Sequence, residues 1–183
     1  RDWSSDVCSS DLIFIRDFLL TTREKYFLYS DPDVVFLKKS KDYLIDLLES
    51  SNCDILFQND EYERCCENSC WPYNTGIFIS KTNNKVLNLF QQIITCNFAE
   101  NHDDQIILNM CVVNNKEINV GFLPKSFYNY NLWRKDQSNF DELETNWNSK
   151  IKIKIPRETI AFHANWTKGI LNKEKLLYHI KFG

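Results

Sequence analysis

The hydrophobic and polar positions along the chain follow two different periods. Short apolar runs bounded by charged or turn-forming residues predict strands, and the run at 26–29 is apolar enough to predict a buried strand. Apolar residues spaced by three or four positions predict helices. Strands or extended segments are expected at 26–29, 34–37, 54–58, 76–79, 120–123, 150–155 and 160–162, and helices at 12–22, 41–50, 84–94, 104–112 and 173–181. Because strands and helices alternate, the pattern predicts an α/β layered fold.

The composition of the chain mainly excludes certain classes of protein and partner. A chain of 183 residues that is 43% hydrophobic and 14% aromatic is long and apolar enough for one ordered domain. Its formal net charge of −3 gives no electrostatic reason to expect a nucleic-acid partner. No apolar run approaches the roughly 20 residues that a membrane-spanning helix needs. Three of the seven cysteines lie in the segment 61–70, where loop disulfides, reduced thiols and a zinc knuckle all remain open.

The first twelve residues differ in character from the rest of the chain. They resemble the in-frame translation of a sequencing-library adapter, and they have neither the apolar core of a signal peptide nor a helical period. We therefore expect residues 1–12 to be a non-native tail and the natural protein to extend upstream of Ile13. A membrane anchor is expected only in that missing part.

Two carboxylates, Asp31 and Asp33, flank Pro32 directly after the strand predicted at 26–29. Ligands of open α/β sheets bind at the carboxyl edge of the strands, and alternate side chains of an extended segment share a face. Since carboxylate oxygens suit Mg²⁺ or Mn²⁺, the pair indicates a metal site. An inert Asp-Pro-Asp turn also fits. So does a haloacid-dehalogenase-type phosphatase, in which Asp31 would be the nucleophile and Asp33 the general acid.

Three later segments place polar side chains at the ends of predicted elements. They are Asn74-Thr75-Gly76 before a strand, Asp103-Asp104-Gln105 at the start of a helix, and His163 to Gly169 after a short strand. An aspartate at a helix start can simply cap the helix. A histidine after a strand can complete a metal site with two carboxylates, and nearby lysines and a glycine can approach a diphosphate.

Taken in this order, the segments resemble the nucleotide-diphospho-sugar transferase family, which are glycosyltransferases of the GT-A type. The matching blocks are 29–36, 54–60, 74–76, Asp104-Gln105 with Asn109, 122–124 with Phe127, and 163–165 with Gly169 and Lys173. The resemblance implies a GT-A-like α/β fold: a mixed, mostly parallel sheet flanked by helices that lacks its first nucleotide-binding strand or strands. Residues 13–183 would then be a partial catalytic domain.

The resemblance also implies roles for individual residues. Asp31, Asp33 and His163 would bind Mn²⁺ or Mg²⁺ together with the diphosphate. Asn74, Asp104 and Gln105 would be catalytic and lie around the sugar and the acceptor. The residues implied in substrate binding are Thr75, Gly76, Asp103, Lys168, Gly169 and Lys173, with Lys168 or Lys173 reaching the phosphates.

The implied reaction is the metal-dependent transfer of a hexose or pentose from a nucleotide-diphospho-sugar, most simply a UDP-sugar, to a hydroxyl of a glycan, protein or other acceptor. The resemblance favours retention of the anomeric configuration. Same-face attack with Gln105 near the sugar and a covalent route through Asp104 both remain open. A phosphatase and a non-catalytic sugar-nucleotide-binding module are the alternative functions. A eukaryotic full-length enzyme would work in the secretory lumen, and any other in the cytoplasm.

Overall fold

The computed structural model describes residues 3–60, 72–100, 104–129, 155–165 and 170–182. The helices within these ranges are α1 (Trp3–Thr21), α2 (Lys41–Ser50), α3 (Asn84–Glu100), α4 (Asp104–Asn114) and α5 (Ile170–Phe182). The strands are β1 (Tyr26–Ser30), β2 (Val34–Phe36), β3 (Ile55–Asn59), β4 (Tyr73–Lys81), β5 (Val120–Phe122), β6 (Phe127–Asn129) and β7 (Ala161–His163). The chain divides into two compact units, Arg1–Tyr29 with Lys41–Leu123 and Ser30–Ser40 with Pro124–Gly183.

The first unit is built around a four-stranded sheet in the order β1-β4-β3-β5. β3 pairs antiparallel with β4 and parallel with β5. Ile55, Phe57 and Phe78 share one core with apolar residues of α1, α3 and α4. Leu56 and Ile77 are just as buried but belong to the opposite parity along their strands. Both faces of the central strands are therefore covered.

β1 is an edge strand of this sheet, and its burial differs from the prediction. Its positions are half-buried or exposed, and Leu28 is 43% exposed. Phe27 and Tyr29 form the inner side of the strand, with ring centroids 5.6 and 5.2 Å from that of Phe78. The prediction of a buried strand is wrong because an apolar run does not reveal the position of a strand within its sheet.

The second unit contains a three-stranded sheet in the order β2-β7-β6. β7 is the central strand and pairs antiparallel with β2 and parallel with β6. Phe162 of β7 and Leu176 of α5 are both fully buried and share a small core with Val35 and Ile180. This packing fixes α5 against the strand that ends at His163.

The mixed α/β class, with helices flanking the sheets, is confirmed. The expected majority of parallel strand pairs is not seen in the pairings above, and two sheets replace one. α1 begins at Trp3, so the expectation that residues 2–12 lack helical structure is wrong. β6 was not predicted, and the strand expected at 150–155 lies outside the described residues except for Ile155, which belongs to no strand. Within the described ranges, no helix combines the length and apolarity needed to cross a bilayer.

Candidate functional site

A tight turn carries the two carboxylates that follow β1. The backbone N–H of Val34 donates to the carbonyl oxygen of Asp31 at 3.2 Å, which closes a four-residue turn with Pro32 at its second position. Proline is favoured at this position because its fixed φ matches the φ that the turn requires there. An extended backbone was expected to place both carboxylates on one face. In the structure a turn brings them together instead.

His163 reaches the turn through strand pairing. Antiparallel pairing of β2 with β7 sets His163 opposite Val34, and the N–H of Ala164 donates to the carbonyl oxygen of Asp33 at 3.0 Å. The His163 side chain is 2% exposed. One potential ligand atom from each of Asp31, Asp33 and His163 lies within 4.8 Å of the others. The predicted three-residue cluster is therefore assembled, although His163 lies 130 residues after Asp33 in the sequence.

Asp33 carries the close charge contacts of this cluster. Its Oδ2 accepts a hydrogen bond from Lys173 Nζ at 2.5 Å, and its Oδ1 lies 3.3 Å from His163 Nε2. The imidazole is close but not aligned as a donor, so Oδ1 is buried without a hydrogen bond from the described part of the chain. Burial alone would raise the pKa of the Asp33 carboxyl, but His163 and Lys173 outweigh burial and hold that pKa well below its usual range. Asp33 is thus an anion at neutral pH.

Lys173 is aimed at Asp33 by the packing of α5. It lies three residues before the buried Leu176, and positions three apart share one face of a helix. The Lys173 side chain is 35% exposed, so its ammonium group keeps access to solvent while contacting Asp33. The resemblance implied a contact with phosphate for this lysine; the structure shows it bonded to a carboxylate.

The cluster fits a divalent cation of the hard or borderline class. It offers two carboxylates and one imidazole, a donor set that suits Mn²⁺ and Mg²⁺ with further positions left for phosphate or water. No residue in the described part of the chain donates a hydrogen bond to the buried Asp33 Oδ1, and a metal ion would satisfy this oxygen.

A second polar cluster, the amide chain, lies in the first unit and consists of Asp60, Gln105, Asn74 and Gly76. Gln105 Nε2 donates to Asp60 Oδ2 at 2.9 Å, and Asn74 Nδ2 donates to Gln105 Oε1 at 3.1 Å. Asn74 Oδ1 accepts from the N–H of Gly76 at 2.8 Å. Asp60 is 1% exposed and Asn74 is 2% exposed. These side chains are thus held by one another rather than by solvent.

A bulge in β4 creates the local geometry of Asn74. The pairing of β3 with β4 passes from Phe57↔Phe78 to Gln58↔Asn74, which leaves residues 75–77 of β4 without a partner residue in β3. Bulges bend a strand and redirect its side chains. The bulge lets Asn74 turn back onto the N–H of Gly76.

Asn109 anchors the amide chain to the backbone. It is fully buried; its Oδ1 accepts from the N–H of Tyr73 at 2.9 Å, and its Nδ2 donates to the carbonyl oxygens of Tyr73 and Gln105 at 2.8 and 2.7 Å. Sequence reasoning gave no role to Asn109 or Asp60. The signal for Asp60 was present, because it is a carboxylate directly after an apolar strand, like Asp31.

The comparisons with known proteins identify the family of this chain. The family model described as nucleotide-diphospho-sugar transferase matches residues 14–177, which is most of the chain. The chain belongs to the nucleotide-diphospho-sugar transferase family. No curated protein matches this chain significantly.

Two solved structures share the fold of this chain. Both are of the glycosyltransferase GlyE from Streptococcus pneumoniae TIGR4, at 19% identity. One has a TM-score of 0.52 and matches over 93% of this chain and 42% of its own, and the apo form has 0.53, 92% and 43%. The chain thus spans less than half of the GlyE chains that it resembles.

The remaining predicted site residues have different outcomes. Asp104 is the first residue of α4, and its Oδ1 accepts from the adjacent N–H of Gln105 at 2.8 Å, whereas an N-cap side chain accepts from an N–H two or three residues further on. Thr75 and Gly76 lie in the bulge of β4. The predicted sugar- and phosphate-binding residues Asp103, Lys168 and Gly169 lie outside the described residues, as does the cysteine segment 61–70. The family assignment overturns the phosphatase alternative for Asp31 and Asp33.

Proposed function

We propose that this protein is a metal-dependent glycosyltransferase that moves a sugar from a nucleotide-diphospho-sugar to a hydroxyl acceptor. The observation that supports metal dependence is the convergence of Asp31, Asp33 and His163 around a buried carboxylate oxygen that lacks a hydrogen bond. Family membership supports the class of donor. A UDP-sugar is the proposed donor, and a glycan or protein hydroxyl is the proposed acceptor.

In this proposal the second unit binds the diphosphate. Asp31, Asp33 and His163 would hold Mn²⁺ or Mg²⁺, which when bound supplies Lewis-acid neutralisation of the departing nucleoside diphosphate. Lys173 would supply a second positive charge. The flexible side chain of Lys173 allows its ammonium group to leave Asp33 and bind a phosphate oxygen. Lys168 is the alternative residue for this phosphate contact. Asp33, ionised at neutral pH, keeps the site negative before the donor arrives.

The proposed role of the amide chain is to act on the sugar. Gln105 would present its carboxamide to the sugar, Asn74 would support it, and Asp104 would remain at the start of α4. Retention of the anomeric configuration is proposed through attack on the same face from which the diphosphate leaves.

The test is Mn²⁺-dependent turnover of UDP-sugars, followed by the release of UDP with and without added acceptors. We expect turnover that EDTA abolishes, that Mn²⁺ restores and that Asp33→Asn removes. Asp46→Asn is the matched control, because it makes the same substitution at an exposed position of α2. Turnover that survives EDTA or Asp33→Asn would refute metal dependence. The anomeric proton coupling of the product, measured by NMR, tests retention.

The chain covers 42–43% of the GlyE chains, and this leaves one further outcome to measure. Isothermal titration of UDP with and without Mn²⁺ separates donor binding from turnover. Mn²⁺-dependent UDP binding without transfer to any acceptor would support the alternative of a sugar-nucleotide-binding module. Absence of both would refute the proposed function in either form.

A further inference from the structure

We infer that Asp60 is a positioning residue that fixes the orientation of the Gln105 carboxamide. The inference deepens the proposed function and rests on it for the role of Gln105 at the sugar. The hydrogen bonds that carry it do not depend on that role. Among the described residues, Asp60 belongs to no group that could bind a metal; it follows β3 and is 1% exposed.

The direction of the amide chain is set at both of its ends. A carboxylate oxygen of Asp60 accepts, so Gln105 must turn its Nε2 toward it. A backbone N–H can only donate, so Asn74 must turn its Oδ1 toward Gly76. These two constraints place Asn74 Nδ2 against Gln105 Oε1, and the two atoms form a hydrogen bond of 3.1 Å. Rotating either amide by a half-turn would face donor against donor or acceptor against acceptor.

The backbone on either side of this chain is also held. The N–H of Asp60 donates to the carbonyl oxygen of Pro72 at 2.9 Å, next to the start of β4. Asn109 donates to the carbonyl oxygen of Gln105 at 2.7 Å, so the first turn of α4 is tied to the same strand through Tyr73. Asp60 and Asn74 therefore act on Gln105 from fixed elements, and the direction of its carboxamide follows from theirs.

Loss of the Asp60 acceptor would release one side of the Gln105 carboxamide. The terminal torsion of glutamine is broad and has no strong preference of its own, so the amide plane would then lose a charge-assisted hydrogen bond that orients it. A group that orients a reacting sugar affects the transition state more than ground-state binding. The expected signature is a fall in kcat with little change in KM.

The first experiment compares Asp60→Ala, Asp60→Asn and Asp54→Ala. Asp60→Ala removes the acceptor and should lower kcat by about tenfold or more, with KM for the donor changed by less than about threefold. Asp60→Asn keeps an acceptor oxygen and should recover most of that loss. Asp54→Ala removes another buried carboxylate, at the other end of β3, and should lower stability while leaving kcat unchanged.

The second experiment does not need activity. In ¹⁵N-labelled protein, the Gln105 side-chain amide should show two separate, slowly exchanging proton signals in the wild type and in Asp60→Asn. In Asp60→Ala both protons should exchange with water much faster, while those of Asn109 should remain slow. If the wild type shows no turnover, the proposed function fails and this spectrum still decides the positioning role. Unchanged Gln105 signals in Asp60→Ala would overturn the inference, as would an Asp60→Asn that is as inactive as Asp60→Ala with Gln105 still ordered.

Discussion

Lys173 and a metal ion compete for the same carboxylate, so removing the lysine should strengthen metal binding. Lys173 Nζ lies 2.5 Å from Asp33 Oδ2, inside the cluster that would bind the ion. An ion that binds Asp33 must weaken or displace this contact, and the two positive charges repel. Lys173→Met keeps the length and apolar stem of the side chain and removes the charge.

The size of the effect follows from the exposure of the pair. A buried charge-assisted hydrogen bond contributes about 1.5–3 kcal/mol, and partial exposure lowers that figure. Since the Lys173 side chain is 35% exposed and Asp33 is 12% exposed, we take about 1–1.5 kcal/mol, near the lower end. A difference of about 1.4 kcal/mol is about tenfold in a dissociation constant. Lys173→Met should therefore bind Mn²⁺ about five- to tenfold more tightly in the absence of nucleotide.

The assay is Mn²⁺ titration followed by electron paramagnetic resonance, with Lys175→Met as the matched control. Lys175 lies on the exposed side of the same helix, so its substitution removes an equal charge without touching Asp33. If Lys173 also serves the phosphates as proposed, UDP affinity at saturating Mn²⁺ should fall in Lys173→Met. Mn²⁺ affinity that is equal in the two variants, or lower in Lys173→Met, would refute the competition.

Three further predictions concern stability. Because folding lowers the pKa of Asp33, its ionised form stabilises the protein fully above the unfolded pKa of about 3.9 and loses that contribution as the pH falls through the folded pKa. The free energy of unfolding relative to Asp33→Asn should be level between about pH 7 and pH 5 and decline below about pH 4; a level difference down to pH 3 would contradict it. Asp54→Ala should cost about 2–3 kcal/mol in urea unfolding, because Asn83 Nδ2 loses an acceptor at 2.8 Å, and should leave Mn²⁺ affinity alone. Gly121→Ala should cost about 1–3 kcal/mol, since its Cβ would lie 2.8 Å from Leu56 Cδ2; a variant as stable as wild type would show that Leu56 moves freely.

The metal cluster was largely predictable because it follows from strand ends. Asp31 and Asp33 follow an apolar strand and His163 ends another. The family resemblance then implied that the three residues bind a metal ion together. What the sequence could not supply was the contact between Lys173 and Asp33. That contact depends on how Leu176 seats α5 against Phe162, and tertiary packing of this kind leaves no periodic signal.

The amide chain was much less predictable from the sequence than the metal cluster. Asn74 and Gln105 were selected as catalytic by resemblance, but nothing local pairs either residue with Asp60. The hydrogen bonds join positions 31 and 45 residues apart and depend on a bulge in β4 that no hydrophobic pattern marks. The burial of β1 was mispredicted for a related reason, because strand order within a sheet is a property of the assembled fold.

The two clusters differ in kind, and this difference separates their expected phenotypes. Asp33 contacts a charged lysine that retains access to solvent, so one cation can replace another there. The hydrogen bonds between Asp60, Gln105 and Asn74 are directional and do not allow either amide to flip. This cluster therefore holds one geometry, and a change of partners would cost free energy. Substitutions in the first cluster should therefore appear in dissociation constants for metal and nucleotide. Substitutions in the second should appear in kcat and in the exchange of the Gln105 amide protons.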